Sequence, residues 1–100
     1  MKNSDKILYS VSGNIAKLTI NRPERRNALD AESLEQINIL MDRAESDEKV
    51  RVILITGQGD TFSSGFDLKD QMEKAPRGKQ WKPILELDHR TIMRFWNSPK

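Results

Sequence analysis

Residues that could do chemistry gather in one short segment, Phe62-Ser63-Ser64-Gly65-Phe66-Asp67-Leu68. Gly65 has no Cβ and therefore permits a tight path of the main chain. Asp67 is suited to cap a helix that begins at Leu68, so the N–H of Phe66 precedes a helix start. Free N–H groups at such a place favour negative charge. The segment predicts an anion-binding main-chain donor at Phe66, and the alternative is that Gly65 and Asp67 only make a turn and a cap.

A second candidate group is the arginine pair Arg25 and Arg26, in the polar loop over residues 21–27. A guanidinium can hold a phosphate through two parallel hydrogen bonds. Arginines are also common on protein surfaces. The pair is therefore either a phosphate-binding site or part of a solvated basic loop, and the residues alone support both interpretations equally.

The single histidine, His89, raises the question of acid–base chemistry. It shares one face of a predicted helix with Leu85, Ile92 and Trp96. This position favours a packed or interfacial histidine over a catalytic one. The two tryptophans, Trp81 and Trp96, are likewise assigned to the core, an interface or a pocket wall.

No metal site is predicted. The carboxylates of Asp67, Asp70 and Glu73 could bind a cation, but carboxylates at a helix start usually serve the helix itself. The chain contains no cysteine. Disulfides, thiolate catalysis and thiolate ligands for zinc are therefore excluded.

The composition is that of one ordinary domain. The 100 residues are 36% hydrophobic and 32% charged, which is typical of neither a membrane-spanning nor a disordered chain. Seventeen Lys and Arg are interleaved with fifteen Asp and Glu, so no nucleic-acid partner is predicted. No apolar stretch is long enough for a signal peptide or a membrane span. We expect a cytoplasmic protein with no membrane partner.

The elements that must position these residues follow from hydrophobic periodicity. Apolar residues alternate on both sides of Gly13-Asn14, which predicts a β-hairpin over residues 7–20. Asp30 should cap a helix from about residue 31 to 45, and its apolar face comprises Leu34, Ile37, Met41 and Ala44. The nearly continuous apolar run from Val50 to Ile55 predicts a parallel strand covered on both faces. Strand, helix and strand together predict a βαβ crossover.

The last part of the chain is predicted to be a loop followed by a helix. Residues 74–82 break the periodicity and are interpreted as a mobile loop. Pro83 fits the first turn of a helix, which Ser98-Pro99 should end.

Three segments resemble the crotonase (enoyl-CoA hydratase/isomerase) superfamily. The first is Leu18-Thr19-Ile20-Asn21-Arg22-Pro23-Glu24-Arg25-Arg26-Asn27-Ala28-Leu29, which is similar to the opening strand and Asn-Arg-Pro loop of that family. The second is the strand Val52-Ile53-Leu54-Ile55-Thr56-Gly57. The third, Phe62 to Leu68, matches the family signature Phe-small-small-Gly-X-Asp-Leu. The resemblance covers about residues 7–68 well and the rest loosely.

The resemblance implies an α/β fold, a crotonase-like spiral of ββα units. It also implies a homo-trimer or hexamer and an acyl-coenzyme A thioester substrate, with no separate cofactor. Two backbone N–H groups would hold the thioester oxygen as it becomes an enolate, and Gly65-Phe66 would supply one of them. The residues implied near the coenzyme A are Arg25, Arg26, Asn27, Ser63, Ser64, Asp67 and Leu68.

Members of the family run to well over twice this length. Their second donor follows a strand that opens just after the equivalent of Ser98-Pro99-Lys100, and their acid–base glutamates come later. We therefore expect residues 1–100 to be the incomplete N-terminal part of the domain and to be inactive alone. The sequence also departs from the family pattern, because Ser63-Ser64 replaces common alanines and Phe66 is bulky at the donor position.

The reaction most commonly associated with the resemblance is hydration of a trans-2-enoyl-CoA. Isomerase, dehalogenase, hydrolase and decarboxylase relatives share the same N-terminal half. The alternative, from a different class, is a non-catalytic module that binds acyl-CoA or a partner subunit.

Overall fold

The computed structural model of the protein describes residues 5–74 and 81–100. A hairpin of β1 (Ile7–Ser12) and β2 (Ile15–Ile20) is followed by a short 3-10 turn, Pro23–Arg25. Helix α1 (Ala31–Ser46), strand β3 (Val52–Gly57), helix α2 (Leu68–Lys74) and helix α3 (Trp81–Asn97) come next. The predicted loop over residues 74–82 falls mostly on residues 75–80, outside the described residues, and its two ends are helical.

The three strands form one sheet in the order β1-β2-β3. Strands β1 and β2 are antiparallel, with Ile7 opposite Ile20. Gly13, in the turn between them, has a φ of 60°, a left-handed conformation that glycine adopts readily. Strand β3 runs parallel to β2. The predicted hairpin and βαβ crossover are therefore confirmed.

Helix α1 covers one face of this sheet. Its predicted apolar face is buried, and Ile37 and Met41 pack with Ile7, Leu18 and Ile20 in the main core. Asp30 caps the helix as predicted, because its Oδ1 accepts a hydrogen bond from the Ser33 N–H at 2.9 Å. The observed helix extends one residue beyond the predicted end.

Strand β3 is covered on one face only. Ile53 and Ile55 contact the core, whereas Val52 and Leu54 are each about half exposed. The predicted cover on both faces is therefore wrong for the described residues. A run of β-branched residues shows that each side chain suits a strand, but it does not show what lies against either face.

Helix α3 packs on α1 through polar contacts. Asn38 Nδ2 on α1 donates to Thr91 Oγ1 at 2.8 Å. Arg94 forms ion pairs with Asp42 at 2.8 Å and Glu45 at 3.2 Å. Pro83 lies in the first turn of α3, as predicted.

The face of α3 that carries Leu85, His89, Ile92 and Trp96 is exposed. Trp96 is 82% exposed, and Leu85 and Ile92 are about half exposed. His89 on the same face is also exposed, so it is not packed among the described residues, and the interfacial alternative stays a prediction. The helix is apolar on more than one side. Ile84, Leu87 and Phe95 lie on a second side and are half-buried. Periodicity alone could not identify the side that packs.

Candidate functional site

Two loops that are distant in the sequence meet at a single β-bridge. Leu29, after β2, donates its N–H to Gly65 O at 2.8 Å. The Asp67 N–H donates to Leu29 O, also at 2.8 Å. These two bonds form an isolated parallel bridge between Leu29 and Phe66. The bridge fixes the main-chain direction through the segment that the sequence singled out.

The N–H of Phe66 is left free by this arrangement. Within residues 5–74 and 81–100 it donates no hydrogen bond. In an extended segment successive N–H groups point to opposite sides, so it is directed away from Leu29. Gly65 has a φ of 99°, a conformation that a residue with a Cβ rarely adopts. The structure thus places a free main-chain donor directly after a glycine in a left-handed conformation.

Asp67 is a helix cap, as predicted. Its Oδ1 accepts from the Asp70 N–H at 3.1 Å, and the carboxylate is buried. Its Oδ2 lies 3.3 Å from Arg22 Nη2 and 3.5 Å from Arg25 Nη2. Burial by itself would raise the pKa of this carboxyl, but the Asp70 N–H and the charges of both arginines outweigh it and lower the pKa. Asp67 is therefore held as a paired anion.

The role of Arg22 was not predicted from the sequence. This residue is buried, and its Nη1 donates to the carbonyl of Ala28. Its Nη2 also lies 3.6 Å from Oδ2 of Asp30, the cap of α1. The only available signal was its place in the Asn-Arg-Pro segment, because nothing local distinguishes it from Arg25 and Arg26.

Asn27 is fully buried and has a left-handed main chain, with a φ of 56°. Its Oδ1 accepts from the Arg22 N–H at 2.8 Å. Its Nδ2 donates to Gln58 O at 2.9 Å and to Thr61 O at 2.5 Å. The observed role of this side chain is to hold the two loops together, and the predicted contact with coenzyme A stays a prediction.

The remaining predicted residues lie around the same loops. Ser63 Oγ donates to Asn27 O at 2.8 Å and accepts from the Gly65 N–H at 3.0 Å. The Ser64 N–H donates to Arg26 O at 3.0 Å, and Leu68 is the first residue of α2. The structure therefore brings the loop of Arg25, Arg26 and Asn27 against the segment from Ser63 to Leu68. Their contacts with a ligand remain predictions.

The two arginines differ in their surroundings. Arg25 is partly exposed and shares the Asp67 carboxylate with Arg22. Arg26 is exposed, has a left-handed φ of 54°, and forms no ion pair with any described residue. Of the two, Arg26 is the guanidinium more available to a phosphate.

Neither a metal cluster nor a membrane span is found in the described part of the chain. No three acidic or histidine side chains lie together there in a way that could hold a metal ion. Similarly, none of the helices over residues 5–74 and 81–100 is both long enough and apolar enough to cross a membrane.

The chain has an α/β fold. Its candidate site is the free N–H of Phe66, which lies between Gly65 and the helix cap Asp67. The family model described as "Enoyl-CoA hydratase/isomerase" matches residues 10–93. This chain belongs to the enoyl-CoA hydratase/isomerase family, as its resemblance to the crotonase superfamily predicted.

Solved and curated relatives agree. The crystal structure of an enoyl-CoA hydratase/isomerase from Xanthobacter autotrophicus Py2 superposes with a TM-score of 0.92 at 52% identity, covering 96% of this chain and 36% of that chain. A probable enoyl-CoA hydratase, EchA14, of Mycobacterium tuberculosis H37Rv is 40% identical over 68 residues, which are 68% of this chain and 27% of that protein. An (E)-benzylidenesuccinyl-CoA hydratase of Thauera aromatica is 33% identical, covering 79% of this chain and 37% of that protein. The chain thus spans about a third of the length of these relatives, and the predicted crotonase-like fold is confirmed.

Proposed function

We propose that the N–H of Phe66 is one of two main-chain donors that hold the thioester oxygen of an acyl-CoA while it becomes an enolate. The observation that carries the proposal is the Leu29–Phe66 bridge, which engages Gly65 O and Asp67 N and leaves the N–H of Phe66 free. A donor fixed in advance favours charge that develops only in the transition state. Hydration of a trans-2-enoyl-CoA is the proposed reaction, supported by two relatives that are named as hydratases.

The charges around Phe66 are compatible with an enolate. The nearest carboxylate in sequence, Asp67, would repel a developing negative charge if it stood alone. However, Arg22 and Arg25 both lie within 3.5 Å of its Oδ2. The paired carboxylate therefore contributes little repulsion at the donor and does not strongly oppose an oxyanion there.

We propose that residues 1–100 alone do not catalyse the reaction. Catalysis requires a pair of donors and a proton-transfer group held around one reacting atom. The site described above supplies a single donor among the described residues. Its carboxylate, Asp67, is paired with Arg22 and Arg25 and has a lowered pKa, which makes it a poor proton donor at neutral pH and also a weak base. Measurable turnover by the purified 100-residue polypeptide, with host enzyme excluded, would contradict this proposal.

The proposed ligand is an acyl-CoA thioester, whose phosphates would contact the loop of Arg25 and Arg26. Arg26 is the better candidate, because Arg25 already shares the Asp67 carboxylate. Ser63, Ser64 and Leu68 would line the coenzyme A pocket through main-chain atoms. Phe66 would border the acyl group with its ring.

A specific observation favours a second role, as a subunit-contact module. Leu85, Ile92 and Trp96 form an exposed apolar face on α3, and such faces commonly mark contacts with other proteins. A homo-trimer or hexamer would cover it. If light scattering gives the same oligomeric mass for Trp96→Glu and for the unchanged protein, this face is not the contact.

The direct test of the proposed function is an assay of the complete protein with trans-2-enoyl-CoA substrates of several chain lengths. The loss of the conjugated enoyl thioester is followed, with the matching enoyl pantetheine thioester as control. Rapid loss that depends on the coenzyme A moiety supports the proposal. Tight binding without turnover would instead favour the non-catalytic acyl-CoA-binding alternative.

A further inference from the structure

We infer that Arg22 is a positioning residue for the Phe66 donor, an inference that rests on the proposed function. The side chain of Arg22 is 9% exposed, compared with 45% for Arg25 on the same carboxylate. Burying a charge is unfavourable unless the charge is paired and hydrogen-bonded. Arg22 meets this condition, because its guanidinium contacts Asp67, Asp30 and the carbonyl of Ala28.

The guanidinium connects the caps of two helices. Asp30 accepts from the Ser33 N–H through Oδ1 at the start of α1, and Asp67 accepts from the Asp70 N–H through Oδ1 at the start of α2. In both carboxylates it is the other oxygen, Oδ2, that lies near Arg22 Nη2. Each carboxylate therefore holds its helix with one oxygen and faces Arg22 with the other. A planar guanidinium with several fixed donors is suited to such a junction.

The same guanidinium contacts both chain segments that meet at the Leu29–Phe66 bridge. Ala28, whose carbonyl accepts from Nη1, directly precedes Leu29. Asp67 directly follows Phe66. One bridge bond joins the Asp67 N–H to the Leu29 carbonyl, and the other joins the Leu29 N–H to the Gly65 carbonyl. Arg22 thus holds Asp67 directly and Leu29 through the preceding residue, Ala28, and these two bridge residues set the direction of the Phe66 N–H.

This position predicts an effect on the chemical step rather than on binding. Arg22 is buried beneath the loop and contacts protein groups, so it would not itself touch the thioester. If it is removed, the donor still exists but is less well aimed. A displacement of about 1 Å in a catalytic group can cost about 10²-fold in rate.

The test compares Arg22→Lys with Lys6→Met in the complete protein by steady-state kinetics. Lysine keeps the charge but loses the planar fork, so kcat should fall by about 10- to 100-fold while KM stays within about threefold. Lys6 is a matched control, because it binds the same Asp30 Oδ2 at 2.6 Å without contacting Asp67. Lys6→Met should leave kcat unchanged. A kcat of Arg22→Lys within about twofold of the unchanged protein, or an equal loss in Lys6→Met, would overturn the inference.

A second measurement separates this inference from the proposed function. If the unchanged protein does not turn over enoyl-CoA, the proposed function fails. NMR of the main-chain amides then tests whether Arg22 positions the Phe66 N–H. In ¹⁵N-labelled protein, Arg22→Lys should shift the Phe66 amide resonance. It should also accelerate hydrogen exchange of the Leu29 and Asp67 amides, which form the bridge bonds, by about tenfold or more, whereas Lys6→Met should do neither. An unchanged Phe66 amide would overturn the inference. Should Arg22→Lys fail to fold, Arg22→Gln, which keeps a neutral donor, is compared in the same way.

Discussion

Leu29 and Phe66 face each other across one parallel bridge, in which Leu29 uses both its N–H and its C=O, each at 2.8 Å. Both of these bonds go to the neighbours of Phe66 and neither to Phe66 itself. The direction of the Phe66 N–H is consequently set by a residue in a different loop. The donor proposed for catalysis depends on the loop after β2 as much as on its own segment.

Asp30→Asn should destabilise the protein at neutral pH by about 2 kcal/mol. Burial would raise the pKa of Asp30, but hydrogen bonds from Lys6 and Ser33 and the charge of Arg22 lower it from 3.8 to about 2. One pKa unit corresponds to about 1.4 kcal/mol. The folded pKa is depressed, so this stability is present above the usual pKa and is lost as the pH falls from about 4 towards 2.

Urea unfolding of both proteins at pH 7 and at pH 2 to 3 measures the Asp30 effect. Glu32→Gln is the matched control, because Glu32 also pairs with Lys6, at 2.7 Å, but is largely exposed. It should change the free energy of unfolding by less than about 1 kcal/mol. A difference between Asp30→Asn and the unchanged protein that does not shrink in acid would contradict this account.

Asp88→Asn should have the opposite effect to Asp30→Asn and raise the free energy of unfolding at pH 7. Burial raises the pKa of Asp88, only partly offset by hydrogen bonds from Gln71 Nε2 at 2.8 and 3.0 Å. A raised folded pKa means that this carboxyl favours folding most below its usual pKa and loses that contribution as the pH rises. Asparagine keeps an acceptor for Gln71 without the charge. It should stabilise the protein at pH 7 by about 0.5 to 1 kcal/mol, a common scale for single stabilising substitutions.

The gain from Asp88→Asn should shrink as the pH is lowered to about 3, since the native carboxyl is then protonated. Asp42→Asn serves as a control, because Asp42 is mostly exposed. If Asp88→Asn lowers the free energy of unfolding at pH 7, the ionised carboxylate stabilises this site and the interpretation fails.

Gly57→Ala should destabilise the protein by about 1 to 3 kcal/mol, the usual cost of overpacking. A Cβ at Gly57 would clash with the carbonyl oxygens of both Thr61 and Phe62. These are main-chain atoms, so they cannot turn away as a flexible side chain could. Gly13→Asn is the control, since Gly13 has open space around it and asparagine tolerates a left-handed φ. Thermal unfolding that gives equal losses for both variants would show that the close approach is unimportant.

Features with local causes could be predicted from the sequence. The hairpin turn at Gly13, the cap at Asp30 and the cap at Asp67 each depend on residues within a few positions of one another. The apolar face of α1 was also predictable, because the helix has a single such face. Gly65 and Phe66 are also recognisable locally, as a glycine shortly before a helix cap, whereas the role of the Phe66 N–H as a donor stays a prediction.

Features that depend on distant segments were missed or wrong. Arg22 becomes significant only when Asp67 is brought beside it, and Gly57 only when Thr61 and Phe62 fold back over it. Similarly, the periodicity of α3 did not reveal which of its apolar residues, Phe95 or Trp96, would pack within the described part of the chain. These outcomes are determined by tertiary packing, for which a local pattern carries no signal.

The central claim, that the main chain of Phe66 is the donor, is tested most directly by comparing Phe66→Ala with Phe66→Pro in the complete protein. Alanine keeps the N–H, so kcat should be largely preserved, and any change should appear in the preference for acyl chains. Proline deletes the donor, and kcat should fall by about 10²-fold or more.

Steady-state kinetics of the two Phe66 variants are measured together with acyl-CoA binding, and the Phe66→Pro result counts only if that variant folds and still binds. The account predicts a large loss of kcat for proline and a small one for alanine. Equal losses of kcat in both variants, with unchanged binding, would show that the ring acts in the chemistry. That result would contradict the assignment of the Phe66 main chain as the oxyanion donor.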